Sequence, residues 1–182
     1  MIEIIPNWHP MFVHFTIGLL FTSIFLFLVT QILPDKIILH DHLQIVALWN
    51  LWIGYGIALV TAVFGWLAYN SVAHDTPSHE AMTIHRNWAL LTLGIFLPIV
   101  MWSVVSCRQR IKLTWIFILL LLIPAAFLAR TGWLGAEAVY RYGLGVISLP
   151  QSEGKDHFHD DPSMGEKMDH SGPKEQKHDH SH

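Results

Sequence analysis

Charged side chains are missing from four long intervals of this chain, between Glu3 and Asp35, Asp41 and Asp75, Arg86 and Arg108, and Lys112 and Arg130. Roughly 20 apolar residues cross a bilayer as a helix. Each interval holds a run of about that length, rich in Leu, Ile, Val, Phe and Trp and without two-residue alternation, which fits helices rather than barrel strands. The pattern predicts four membrane-spanning helices at about residues 10–33, 43–71, 85–106 and 112–136. The expected fold class is all-α, an integral membrane four-helix bundle over residues 1–149. Residues 130–146 carry several glycines and read as a short segment folding back on the rim of the bundle, with Glu137 and Arg141 spaced to pair. From residue 150 the apolar pattern stops. The tail, residues 150–182, has almost no large apolar side chain and is expected to be disordered.

Within the helices, small residues recur on the second at Gly54, Ala58, Ala62 and Gly65, a spacing that lets two backbones approach closely. Pro10 suits the first turn of the first helix, and Pro98 and Pro124 fall inside the third and fourth.

Composition agrees with a membrane protein: 52% of residues are hydrophobic and 14% charged, with mean hydropathy +0.40. The net charge of −3 only averages a neutral bundle with a charged tail. Cys107 is the sole cysteine, so an internal disulfide and a cysteine cluster are excluded. The amino terminus has no basic n-region and no small-residue cleavage site, and its apolar run is too long for a signal peptide. Arg108, Arg110 and Lys112 concentrate positive charge between helices three and four. By the positive-inside rule that loop is cytoplasmic and both termini lie outside the cytoplasm.

Histidines are the candidate chemistry. His9, His14, His74, His79 and His85 fall on the side of the termini, against His40 and His42 on the other. His14 and His85 stand near the starts of helices one and three, at matching depth. An ionisable residue there is a functional candidate. One reading is an interfacial histidine bonded to a carbonyl or water. The sharper one is a pair of axial ligands to haem b held inside the bundle. Gly18, one turn after His14, leaves room for a flat macrocycle, and Arg86 and Arg130 are placed to meet its propionates. In the tail, His157, His159, His170, His178, His180 and His182, with Met164 and Met168, suit loose binding of copper, nickel or zinc, and His9 is a further candidate metal ligand. Nothing reads as a nucleophile triad, a phosphate loop or a nucleic-acid patch.

Three motifs carry a resemblance: His9-Pro10-Met11-Phe12-Val13-His14-Phe15, the helix start His85-Arg86-Asn87, and the run from Gly132-Trp133-Leu134-Gly135 to Tyr142-Gly143-Leu144-Gly145-Val146. From Trp8 to Val146 the chain resembles the bacterial four-helix membrane proteins grouped as domain of unknown function family 2231. The resemblance implies a four-helix integral membrane domain in the bacterial inner membrane and matches His9, His14 and His85 to histidine positions of that family. Tyr142 stands where the family motif has a further histidine. The reading that results is a small b-type cytochrome-like electron carrier, with quinone or another redox partner. The alternatives are a metal-handling membrane protein, or a structural subunit of a membrane complex. All three describe a carrier, a binder or a scaffold rather than a catalyst.

Overall fold

The structure, a computed structural model, describes residues 8–34, 36–72 and 75–146. These lie in the first of the two units into which the chain divides, Met1–Leu149. The tail histidines and His74 fall outside the described residues. Four helices follow one another: α1 (His9–Ile32), α2 (Ile38–Ser71), α3 (Thr76–Gln109) and α4 (Trp115–Tyr142). Each is long and apolar enough to cross a membrane.

The helices run further than hydrophobicity alone predicts, and local chemistry explains where they stop. The helix expected from residue 85 begins at Thr76. There the Asp75 carboxylate accepts from the Ser78 backbone N–H at 3.0 Å and from the Ser78 hydroxyl, and Pro77 fills the first turn. It ends at Arg110, in the left-handed region at φ 55°, where the Ile111 N–H reaches back to the Ser106 carbonyl at 2.9 Å. The expected fold-back after Arg130 does not occur. α4 continues through Gly132 and Gly135 to Tyr142 and closes on Gly143 at φ 63°, with Leu144 N–H bonded to Ala138 O. Glycine costs a helix less than 1 kcal/mol or so, and here both glycines face neighbouring helices. Glu137 and Arg141 pair at 3.2 Å on that continued helix.

Consecutive helices lie side by side, so α1/α2 and α3/α4 form two antiparallel hairpins. They meet along two seams, α2/α3 and α1/α4, while across the diagonals α1/α3 and α2/α4 the backbones stay apart. Gly54 on α2 lets Leu19 and Leu20 of α1 approach so closely that an added Cβ would lie 3.0 Å from Leu20. That is the close-packing role expected of the small-residue stripe.

Tryptophans mark depth. Trp8, Trp66, Trp88 and Trp133 fall near one end of the bundle, and Trp49, Trp52, Trp102 and Trp115 near the other. At about 1.5 Å per residue, Trp49 and Trp66 on α2, and Trp115 and Trp133 on α4, are about 25 Å apart, close to a hydrocarbon core. Between the belts, the half nearer Trp49 is solid. Phe27, Leu51, Phe117 and Leu121 are fully buried there, and the Phe27 and Phe117 rings meet edge to face at 5.4 Å. Its few polar groups are satisfied: Ser23 donates to the Ala47 carbonyl at 2.7 Å, and the Trp52 indole donates to Ser103 at 2.8 Å.

Candidate functional site

The other half contains a cavity of about 400 Å³, inside the range of small-molecule and cofactor sites. Its deep end is apolar, formed by Leu20, Phe96, Leu93 and Leu128. Its outer end is formed by His9 and His85, at the level of Trp8, Trp66 and Trp88.

Each imidazole is held by the other helix of its own hairpin. His9 on α1 bonds through Nδ1 to the Thr61 carbonyl of α2 at 3.1 Å. His85 on α3 bonds through Nδ1 to the Thr131 carbonyl of α4, also at 3.1 Å. A carbonyl only accepts, so Nδ1 carries the proton in both rings and the lone pair lies on Nε2. Gly65 and Gly135, four residues after those threonines, make the contact possible. A Cβ on Gly65 would come within 2.9 Å of His9 Cε1, and one on Gly135 within 3.0 Å of His85 Cε1. Any larger residue would cover the carbonyl that the imidazole reaches.

A second layer fixes the threonines. The Thr61 hydroxyl donates to the Ile57 carbonyl at 2.8 Å and bonds to Thr16 of α1 at 2.8 Å. The Thr131 hydroxyl donates to the Phe127 carbonyl at 2.9 Å and bonds to Thr92 of α3 at 2.8 Å. The two hairpins are therefore copies of one device. His9 and Thr16 are spaced like His85 and Thr92, and Thr61 and Gly65 like Thr131 and Gly135. That repeat was the signal available in the sequence. It is easily missed because it consists of four residues spread over two helices.

Between the copies, the His9 and His85 ring centroids lie 6.2 Å apart with their planes at 78°. The two rings, held by their Nδ1 anchors, close the outer end of the apolar space between the hairpins.

The structure brings His85 together with His9 rather than with His14. Five residues turn an α-helix through about 140° from the starting direction, so His14 leaves the face that His9 occupies. It is exposed, with Nδ1 bonded to the Pro10 carbonyl at 2.6 Å, and lines the cavity only at its edge. Gly18 is exposed, an added Cβ there would meet nothing within 4 Å, and it does not line this cavity. The Arg86 guanidinium lies 4.7 Å over the Tyr69 ring and bonds to Asn87, while Arg130 lies 5.9 Å over Trp88. Neither arginine lines the cavity. His79 bonds to the Tyr69 hydroxyl at 3.2 Å. Among the described residues, no group of three His, Cys, Asp or Glu side chains is placed to hold a metal ion.

Fold and site together define an integral membrane four-helix protein built from two similar helical hairpins around one cavity. The chain belongs to the family described as predicted membrane protein, domain of unknown function 2231, which matches residues 6–148. No curated protein and no solved structure matches it.

Proposed function

We propose that this protein is a one-haem membrane electron carrier in which His9 and His85 would hold haem b, their centroid separation of 6.2 Å being close to the roughly 6.3 Å of two imidazoles that share one metal ion through bonds of about 2 Å. The observation that supports it is the mirrored imidazole pair: two Nδ1–H groups pinned to carbonyls, centroids 6.2 Å apart, over one apolar cavity. The carbonyl bonds fix ring orientation and make each Nε2 a better donor, the usual role of a ligand's outer partner. The hairpins hold the two rings at a set distance, so the pair would offer a bound iron a preorganised site. Haem would supply one-electron chemistry; the chain supplies ligands, an apolar surround and a position near one membrane surface.

By the positive-inside rule, the loop bearing Arg108, Arg110 and Lys112 supports a reading in which the closed end of the bundle faces the cytoplasm of a bacterial inner membrane and the histidine end lies outside it. In that orientation a redox partner would reach the site from the outer side, since the packed half around Phe27 and Phe117 lies between the histidines and the other end of the bundle. Protein purified from haem-replete membranes should show a Soret band and the sharp reduced bands of six-coordinate iron. His9→Ala and His85→Ala should each abolish them, and His79→Ala should leave them in place. Colourless, folded wild-type protein overturns the reading.

A further inference from the structure

Because the two hairpins repeat, each supplies a control for the other. Positions that line the cavity in one hairpin line it in the other: Leu20 matches Phe96, Ile17 matches Leu93, and Ala62 matches Gly132. The exceptions fall on one side. Pro10 and His14 of α1 and Gly135, Ala136 and Val139 of α4 line the cavity, while their counterparts Arg86, Leu90, Gly65, Trp66 and Tyr69 do not.

The α2/α3 seam is shut at this level. Tyr69 of α2 bonds across it to Thr83 of α3 at 2.9 Å, stacks with Trp66 and is covered by the Arg86 guanidinium. At the matching level of the α1/α4 seam, small or short side chains replace that plug, and Ala136, Val139 and His14 are all exposed. The cavity therefore opens sideways at α1/α4, toward the bilayer, with a histidine at its mouth where the other hairpin has leucine.

We infer that this mouth is the docking place of a lipid-soluble hydroquinone, with His14 as its proton acceptor. The inference rests on the haem reading above. The mouth opens on the outer surface of the bundle near the tryptophan belt, so a visitor reaches it from the membrane interface. It must offer a hydroxyl, because with Nδ1 donating to Pro10, His14 presents a lone pair on Nε2. It must be able to give electrons singly to iron behind the mouth. A hydroquinone meets all three requirements. The hydroxyl hydrogen bonded to His14 would leave as a proton to Nε2, with one electron passing to a one-electron acceptor, the ferric haem that His9 and His85 would hold. Loss of the second proton and of a second electron, to another ferric centre, leaves the quinone. One hydroquinone thus reduces two ferric proteins and releases two protons. His14 passes its share to the nearby water surface.

Two measurements on the full-length protein test this. Duroquinol should reduce wild-type protein, and His14→Ala should slow that reduction about a hundredfold, with the Soret band and dithionite-reduced spectrum unchanged. His14→Ala reacting at the wild-type rate overturns the role of His14. An azido-quinone should label peptides containing Val13–Ile17 or Gly132–Val139, and Ala136→Trp should remove that label. Labelling spread evenly over all four helices overturns the mouth and marks it as an acyl-chain contact only. The labelling does not need haem, so absence of a Soret band alone sinks the haem proposal and leaves the docking site separately tested.

Discussion

The two ends of this bundle are made of the same four helices and nearly the same kinds of side chain, yet one is solid and the other hollow. At the solid end Phe27, Leu51, Phe117 and Leu121 fill the axis and leave no exposure at all. At the hollow end the inward positions are Ala58, Ala62, Ala89, Gly132 and Gly135, with two histidines over them. Both ends are apolar, so polarity does not distinguish them. Side-chain size does. In a membrane, helices associate through packing rather than through escape from water, so a run of small inward residues either draws backbones together or leaves a space. At Gly54, far from the histidines, it draws them together. At Gly65 and Gly135 the imidazoles occupy the place that a Cβ would take.

The sharpest contrast between the ends is sidedness. Cys107 is exposed at the solid end. A membrane-impermeant thiol reagent should leave it unmodified in intact cells and label it fully after lysis. Labelling in intact cells puts the histidine end in the cytoplasm.

Filling the hollow end should convert it into a copy of the solid one. Gly65→Leu or Gly135→Leu pushes an imidazole off its carbonyl and should eliminate bound haem while the protein remains inserted. Gly18→Leu, facing open space, should leave the spectrum untouched. If all three behave alike, the glycines serve helix packing in general and not the imidazoles.

Hollowing the solid end should do the reverse, harming stability but not the site. Phe27→Ala removes a fully buried ring and should destabilise the bundle by about 2 kcal/mol. That is less than in a water-soluble core, because lipid already solvates the separated helices. Detergent-induced unfolding monitors the loss, and the folded fraction should keep its haem bands.

The smallest effects test the likeness of the two hairpins. Thr61→Val and Thr131→Val each remove a hydroxyl and leave its threonine partner short of one bond, at about 1 kcal/mol apiece. The two variants should lower stability equally and shift the reduced bands alike. A large effect from one and none from the other would deny that the two anchors are equivalent.

Much of this was legible before any coordinates. Four uncharged intervals specify four spanning helices because a bilayer tolerates little else. His14 and His85 stand out because an imidazole near hydrocarbon is unusual, whereas His9 reads only as a further candidate metal ligand. Pairing His14 with His85 follows from depth alone; the structure sets His85 against His9, five residues earlier on α1. Direction was not available: α1 carries His9 and His14 on different faces, and which face meets α3 depends on how the hairpins turn toward each other. The continuation of α4 through Gly132 and Gly135 was missed for a related reason. Glycine reads as a turn when taken singly, whereas here its missing side chain is occupied by an imidazole from the next helix.

The sequence by itself determined the membrane class, the four helices and their alternation, since these follow from local hydrophobicity and chain length. Only the tertiary structure decided that His9 faces His85 and that Thr61 and Thr131 anchor them. It alone showed that one seam is plugged by Tyr69 while its counterpart stands open beside His14. Those are relations between residues on different helices, set by packing angles and side-chain size, and no periodicity along a single helix encodes them.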